Sequence, residues 1–246
     1  MHFEEFDRPP LREWGPWSQT RKRWLEEGMP EDGPPQYQEC DHWLDCGLDF
    51  GLVPEFEEEE LARDELTRTI RAANGTVIRE LHERELSMPE FVEYPVKTRK
   101  DFEALLPRLN ADSPERYPAD WGERVKQLNG SDWPVNIHGK RNASFFGGVR
   151  EWMGPEALMV ALHDDPSFVR DMMEHKADFI IGIMRRALQE APIDFVQLWE
   201  DMAYHTASLI SPDMFREFML PCYKRVTEFI RSHGVDVIFV DSDGHV

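Results

Sequence analysis

The sequence predicts an α/β protein of the TIM-type (β/α)8-barrel class, incomplete at its C-terminus and carrying an added antiparallel hairpin near its N-terminal half. Three observations lead there. The chain has 246 residues, close to the roughly 250 of one such domain. After about residue 130, strand-like and helix-like segments alternate, the pattern of a parallel sheet covered by helices. Val235-Asp236-Val237-Ile238-Phe239-Val240 is a nearly continuous apolar run, the signature of a parallel strand buried on both faces.

Taken in order, Pro9-Pro10-Leu11-Arg12-Glu13-Trp14-Gly15-Pro16-Trp17 reads as a short strand running into a turn. Ser18 has the chemistry of an N-cap for a helix over 19–27, which Gly28 closes. The acidic run 57–60 is most simply a solvated face or loop. Segments 65–71 and 76–82 alternate with period two across Ala72-Ala73-Asn74-Gly75, and Asn-Gly between alternating segments signals a hairpin. Thr98 with Asp101 resembles a helix start, with an apolar stripe reaching Leu109.

The second half is more regular. A strand is expected over 133–138, then Gly147-Gly148 and a helix near 149–153. Pro155 opens a helix through His163, and Pro166 begins a long amphipathic one to about Glu190. A strand over 194–199 follows, and Ser211-Pro212 caps and starts a helix running to His233, with Gly234 as its stop. The apolar strand then ends the chain with no covering helix, and there are too few strands for eight. Residues 1–246 are therefore read as a single barrel domain lacking its last strands.

Composition narrows the function. Apolar residues make up 41% and charged residues 31%, and no apolar run approaches the ~20 residues that span a bilayer. The N-terminus has no basic flank leading into an apolar stretch, so a cytoplasmic location is the default. A net charge of −20, from 48 acidic and 28 basic residues, repels nucleic acid and anionic membranes. A polyanionic substrate would need basic residues gathered locally against that field. Three cysteines, Cys40, Cys46 and Cys222, fit a reducing compartment. The Cys40-x-His42-x3-Cys46 spacing matches no common zinc motif, and packing around Trp43 and Leu44 is preferred.

In a parallel barrel, chemistry sits at the C-terminal ends of strands. Three such ends here are polar: His138-Gly139-Lys140-Arg141-Asn142, Glu200-Asp201 and Asp241-Ser242-Asp243-Gly244-His245. Asp241 and Asp243 alternate onto one face, so they share a proton, pair with a cation or bind a hard metal ion. His245 follows the same alternation and adds a nitrogen ligand or a base near pH 7. An Asp-Gly turn with local hydrogen bonds is the plainer alternative. Neighbours on an extended chain face opposite ways, and Glu200 is favoured over Asp201 as the inward residue. Lys140, Arg141 and Arg12 suit an anionic group on a substrate, and Trp14, Trp199 and Tyr204 are rim or core aromatics.

From Trp133 onward the chain resembles the uroporphyrinogen decarboxylase superfamily, which includes cobamide-dependent methyltransferases. The resemblance rests on Phe195-Val196-Gln197-Leu198-Trp199-Glu200-Asp201, on Leu209-Ile210-Ser211-Pro212-Asp213-Met214-Phe215-Arg216-Glu217-Phe218, on Leu220-Pro221-Cys222-Tyr223-Lys224-Arg225 and on His233-Gly234-Val235-Asp236. Asp7-Arg8-x-Pro10 matches more loosely. Two departures stand out. The decarboxylases' Arg-Gln-x-Gly-Arg loop is replaced by Arg12-Glu13-Trp14-Gly15, and the methyltransferases' zinc-binding His-x-Cys pair by Asp241-x-Asp243.

The resemblance implies a small-molecule substrate and a methyl-transfer enzyme whose carboxylates Asp241 and Asp243 replace the zinc ligands. Glu200 would then act as acid or base, and Lys140 or Arg141 as an anion anchor. Arg12, Trp14, His138, Asp201, Tyr204 and His245 are the remaining substrate-side candidates. That reading carries a cobamide presented by a partner corrinoid protein. A divalent metal fits the carboxylates without any zinc motif. A decarboxylase acting on a tetrapyrrole or smaller acid is the alternative, and a non-catalytic ligand-binding barrel is another. A metal-dependent hydrolase using Asp241, Asp243 and His245 has no supporting motif elsewhere. An unpaired final strand would also call for a homodimer partner or additional strands.

Overall fold

The computed structural model describes residues 8–12, 16–33, 40–82 and 88–245. The first helix, α1 (Ser18–Glu26), begins one residue earlier than expected: Trp17 is its cap, and Ser18 makes no capping bond. Gly28 follows with φ +98, a left-handed turn that glycine adopts without strain. Residues 8–12 form no strand. They lie beside the segment entering β1 (Leu44–Asp45) through Leu11, whose carbonyl accepts from the Asp41 N–H at 2.7 Å.

The acidic run is solvated as expected: Glu57 and Glu58 are exposed loop, and Glu59 and Glu60 begin β2 (Glu59–Arg63), an exposed edge strand whose Glu59 pairs with Arg71 across the ladder at 2.6 Å. The expected hairpin is β3 (Thr67–Arg71) and β4 (Val77–Leu81), in register Arg71↔Val77. The turn needs Gly75: its φ is +82, and a Cβ there would lie 2.7 Å from the Phe56 ring. With β5 (Glu90–Glu93) the hairpin grows into a four-stranded antiparallel sheet ordered β2-β3-β4-β5. Thr98 and Asp101 form a complete capping box on α2 (Arg99–Leu105), after which residues 106–109 tighten into a 3-10 turn.

Helix α3 (Trp121–Asn129) was not legible in the sequence, and it leads to β6 (Val135–His138). Three helices follow: α4 (Phe146–Met153), α5 (Pro155–Asp164) and α6 (Pro166–Glu190), the last with the bounds the prolines predict. Strand β7 (Phe195–Trp199) precedes α7 (Pro212–Met214), where the Ser211 hydroxyl accepts the Met214 N–H. The single helix expected to reach His233 is interrupted. A π-helical stretch, Phe215–Met219, separates α7 from α8 (Leu220–Ser232). Pro221 explains the break, since it has no N–H to donate to the preceding turn and its ring crowds that turn's carbonyl.

Strand β8 (Val237–Asp241) completes a parallel sheet ordered β1-β6-β7-β8. Its register, with Asn136 beside Phe195 and His138 beside Gln197, sorts the side chains onto two faces. Val135, Ile137, Val196 and Leu198 face the helices and are 2% exposed or less. Asp45, Asn136, His138, Phe195, Gln197, Trp199, Phe239 and Asp241 share the opposite face by the same alternation. Among the described residues this sheet has four strands and no barrel is closed. Nor is β8 buried on both sides as its apolar run suggests, because Phe239 is 40% and Val240 47% exposed.

Candidate active site at the strand ends

Parallel strands place their C-terminal ends together, and here that end is charged. Asp241 ends β8 opposite Trp199 of β7. Burial pushes its carboxyl up from the ordinary value, Asp243 and Asp201 add to that push, and His138 opposes it. Burial pushes the His138 imidazole down; Asp45 and Asp241 draw it back up, while Lys140 and Arg12 lower it further. These residues therefore feel one another across β1, β6, β7 and β8. The Arg141 and Arg150 guanidiniums lie 5.0 and 5.7 Å from the Trp199 ring centre. Arg12 lies 4.2 Å over the Trp43 ring. Two guanidiniums thus flank Trp199 at the carboxylate-bearing strand ends, while Arg12 stands over Trp43, which packs on Phe195 at the start of β7.

Behind that rim lies a second, closed cluster. Glu200 is 0% exposed. Its Oε1 accepts from the Phe145 N–H at 2.6 Å and the Tyr223 hydroxyl at 2.5 Å, and its Oε2 accepts from the Gly147 N–H at 3.0 Å. The carboxylate thus seats on the first turn of α4, where N–H groups lack helical partners. Gly147 permits this approach, since a Cβ there would lie 2.5 Å from the Glu200 carbonyl oxygen. Gly148 makes room for Lys176 in the same way, at 2.3 Å from Nζ. The Lys176 ammonium sits 4.5 Å over the Trp152 ring. Burial pulls it down to about 7 against the attraction of Glu200. Burial likewise pushes Glu200 up, opposed by its three hydrogen bonds and by Lys176.

The orientation expected at this strand tip is reversed. Glu200 turns into the helix layer and Asp201 turns to the rim, where it acts on Asp241. Asp201 has φ +51, a strained conformation for a residue with a side chain. Arg150 of α4 holds it by its carbonyl at 2.9 Å and its carboxylate at 3.4 Å. The tips of β7 and β8 are tied by Glu200 N–H to the Asp241 carbonyl and by Met202 N–H to the Ser242 hydroxyl.

The strand stops at Asp241, so the alternation expected to bring Asp243 and His245 onto its face ends there. Asp243 and His245 are exposed, and the His245 N–H donates to the Tyr204 carbonyl at 3.0 Å. Tyr204 is itself exposed and meets His205 edge-on. Lys140, with φ +47, and Arg141 are exposed in a 3-10 turn after β6. Trp14 lies outside the described residues. Among the described residues no three His, Cys, Asp or Glu side chains converge as metal ligands. Cys46 and Cys222 are buried thiols pushed up to about 12 and about 11. Sequence reasoning missed Arg150, Lys176, Tyr223 and Asp45; the Gly147-Gly148 pair was the one local sign that something packs closely there.

A four-stranded parallel sheet with helices on one face and titratable side chains at its strand ends makes this an α/β fold with its candidate site at the strand ends. The uroporphyrinogen decarboxylase (URO-D) family model matches residues 81–244. The chain belongs to that family, and the match takes in β5 to β8 and every helix from α2 onward. No curated protein and no solved structure matches it. Among the described residues no helix is long and apolar enough to cross a membrane.

Proposed function

We propose that the chain removes carbon dioxide from a small carboxylic acid bound at the strand ends. One observation carries this reading: a carboxyl with a raised pKa, Asp241, ends its strand opposite Trp199, over whose ring the Arg141 and Arg150 guanidiniums lie. Arg12, Lys140 and Arg141 bind the substrate carboxylates, and His138 and Asp201 complete the rim. The bond between carbon and the departing carboxylate breaks, its electron pair stays on carbon, and carbon dioxide leaves. The Asp241 carboxyl then donates its proton to that carbon. Glu200, sealed behind the rim, acts by holding the β7 tip on α4.

The Arg141 and Arg150 guanidiniums over Trp199 support an anionic substrate despite the global charge. Carbon dioxide release from uroporphyrinogen and from simple arylacetic acids is the test. Release that disappears in Asp241→Asn supports the reading, and no release from any of these acids sinks it. Because Asp241 must be protonated to donate, activity should be highest on the acid side and fall as pH rises through its raised pKa.

A second reading is favoured by the three carboxylates Asp201, Asp241 and Asp243, which suit a cationic methyl donor or acceptor. Here the chain transfers a methyl group with a cobamide carried by a partner corrinoid protein. A visible-absorbance change on adding cobalamin, absent in Asp241→Asn, would favour it over decarboxylation.

A further inference from the structure

Two steps below the rim, on the same face of the sheet, Asn136 presents an anomaly. It lies between Asp45 of β1 and Phe195 of β7 in register, and it is 0% exposed. Its backbone is accounted for, with its carbonyl accepting from the Cys46 N–H at 2.9 Å. Its carboxamide is not: neither Oδ1 nor Nδ2 has a hydrogen-bond partner. Among the buried side chains of the described residues, Asn136 has both ends of its polar group unpaired. Buried amides normally find partners, and an apolar side chain of similar shape would avoid the penalty.

The surroundings say what would satisfy it. Alternation puts His138 above Asn136 on β6, with Gln197 beside His138 on β7 and Asp241 at the rim beyond. Aromatic rings line the same face: Phe195 meets Trp43 and Phe239 edge-on at 5.2 and 5.5 Å. A carboxamide offers both donors and an acceptor. Asp45, its register neighbour, disfavours a second negative charge at this depth.

We propose that Asn136 reads the ligand. Its carboxamide hydrogen-bonds the uncharged N–H and carbonyl edge of a planar ring at the floor of the site, while the ligand's anionic group stays at the rim. Entry from the rim rests on the function proposed above; the unpaired amide does not.

The test uses the whole chain labelled with nitrogen-15 and titrated with 2-pyridone, a neutral planar ring with one N–H and one carbonyl. The Asn136 side-chain signals are assigned by their loss in Asn136→Leu or, should that variant not fold, Asn136→Ser. They should shift saturably with 2-pyridone, and N-methyl-2-pyridone should bind at least about tenfold more weakly, because it has no N–H to donate to the Asn136 Oδ1. Asn136→Leu should melt no lower than wild type, and a drop of more than about 5 °C would indicate a partnered amide and count against the idea. Unmoved Asn136 signals overturn the inference. If the Trp199 indole N–H shifts while Asn136 stays still, the rim site stands and the floor assignment fails. If neither moves, both fail.

Discussion

Gly147 shows how a single residue governs this site. Its missing Cβ lets α4 close on the Glu200 carbonyl, which would otherwise be 2.5 Å from a methyl group. Gly147→Ala should therefore destabilise the fold by about 1–3 kcal/mol, as overpacking of tight interiors does, with the loss read from denaturant melts. Lys176 supplies a pH signature. Its folded-state pKa of about 7 lies below the unfolded value of 10.5, so the unfolded chain binds the extra proton between those values. Stability attributable to Lys176 is lowest below pH 7 and recovers as pH rises toward 10.5. Wild type measured against Lys176→Met should gain by up to about 1.4 kcal/mol per pH unit from pH 7.5 to 9. A flat difference would show that the ammonium is not desolvated.

Among the elements, the link between loop and helix layer is sharpest at Arg116. It is 0% exposed, and its guanidinium donates to the carbonyls of Asn110, Asp49, Gly51 and Arg108. It also lies 4.7 Å over Phe179 of α6. Arg116→Met leaves those buried carbonyls without donors and should cost about 3 kcal/mol or more, measurable by chemical unfolding. An unchanged midpoint would mean that the loops hold together by other contacts. At this scale the sequence was most readable where local chemistry decides. Thr98 with Asp101, Pro166, Ser211-Pro212 and Asn74-Gly75 each act within a few residues, and each starts or turns an element where expected. Strands β1, β2 and β5 were not readable, because their pairing comes from partners distant in the chain and not from their own alternation.

At the scale of the molecule, β8 carries a partner strand on one edge only among the described residues, and Phe239 and Val240 are exposed there. Such an edge recruits another strand. The chain should therefore self-associate, with sedimentation showing a dimer or larger species that charged substitutions at Val240 dissociate. A monodisperse monomer across micromolar concentrations would contradict this.

The sequence by itself determined the α/β class, the order of the later strands and helices, the polar strand ends and the family, because periodicity, capping and motif are written in neighbouring residues. The tertiary structure alone decided which way each tip residue turns. Glu200 and Asp201 are adjacent in the chain, and only the first turn of α4 and Arg150 select the buried one and the presented one. It also decided that Asp241 comes within the charge influence of His138 and Asp201 while the alternation toward His245 ends, since strand length is set by pairing and β8 stops at Asp241.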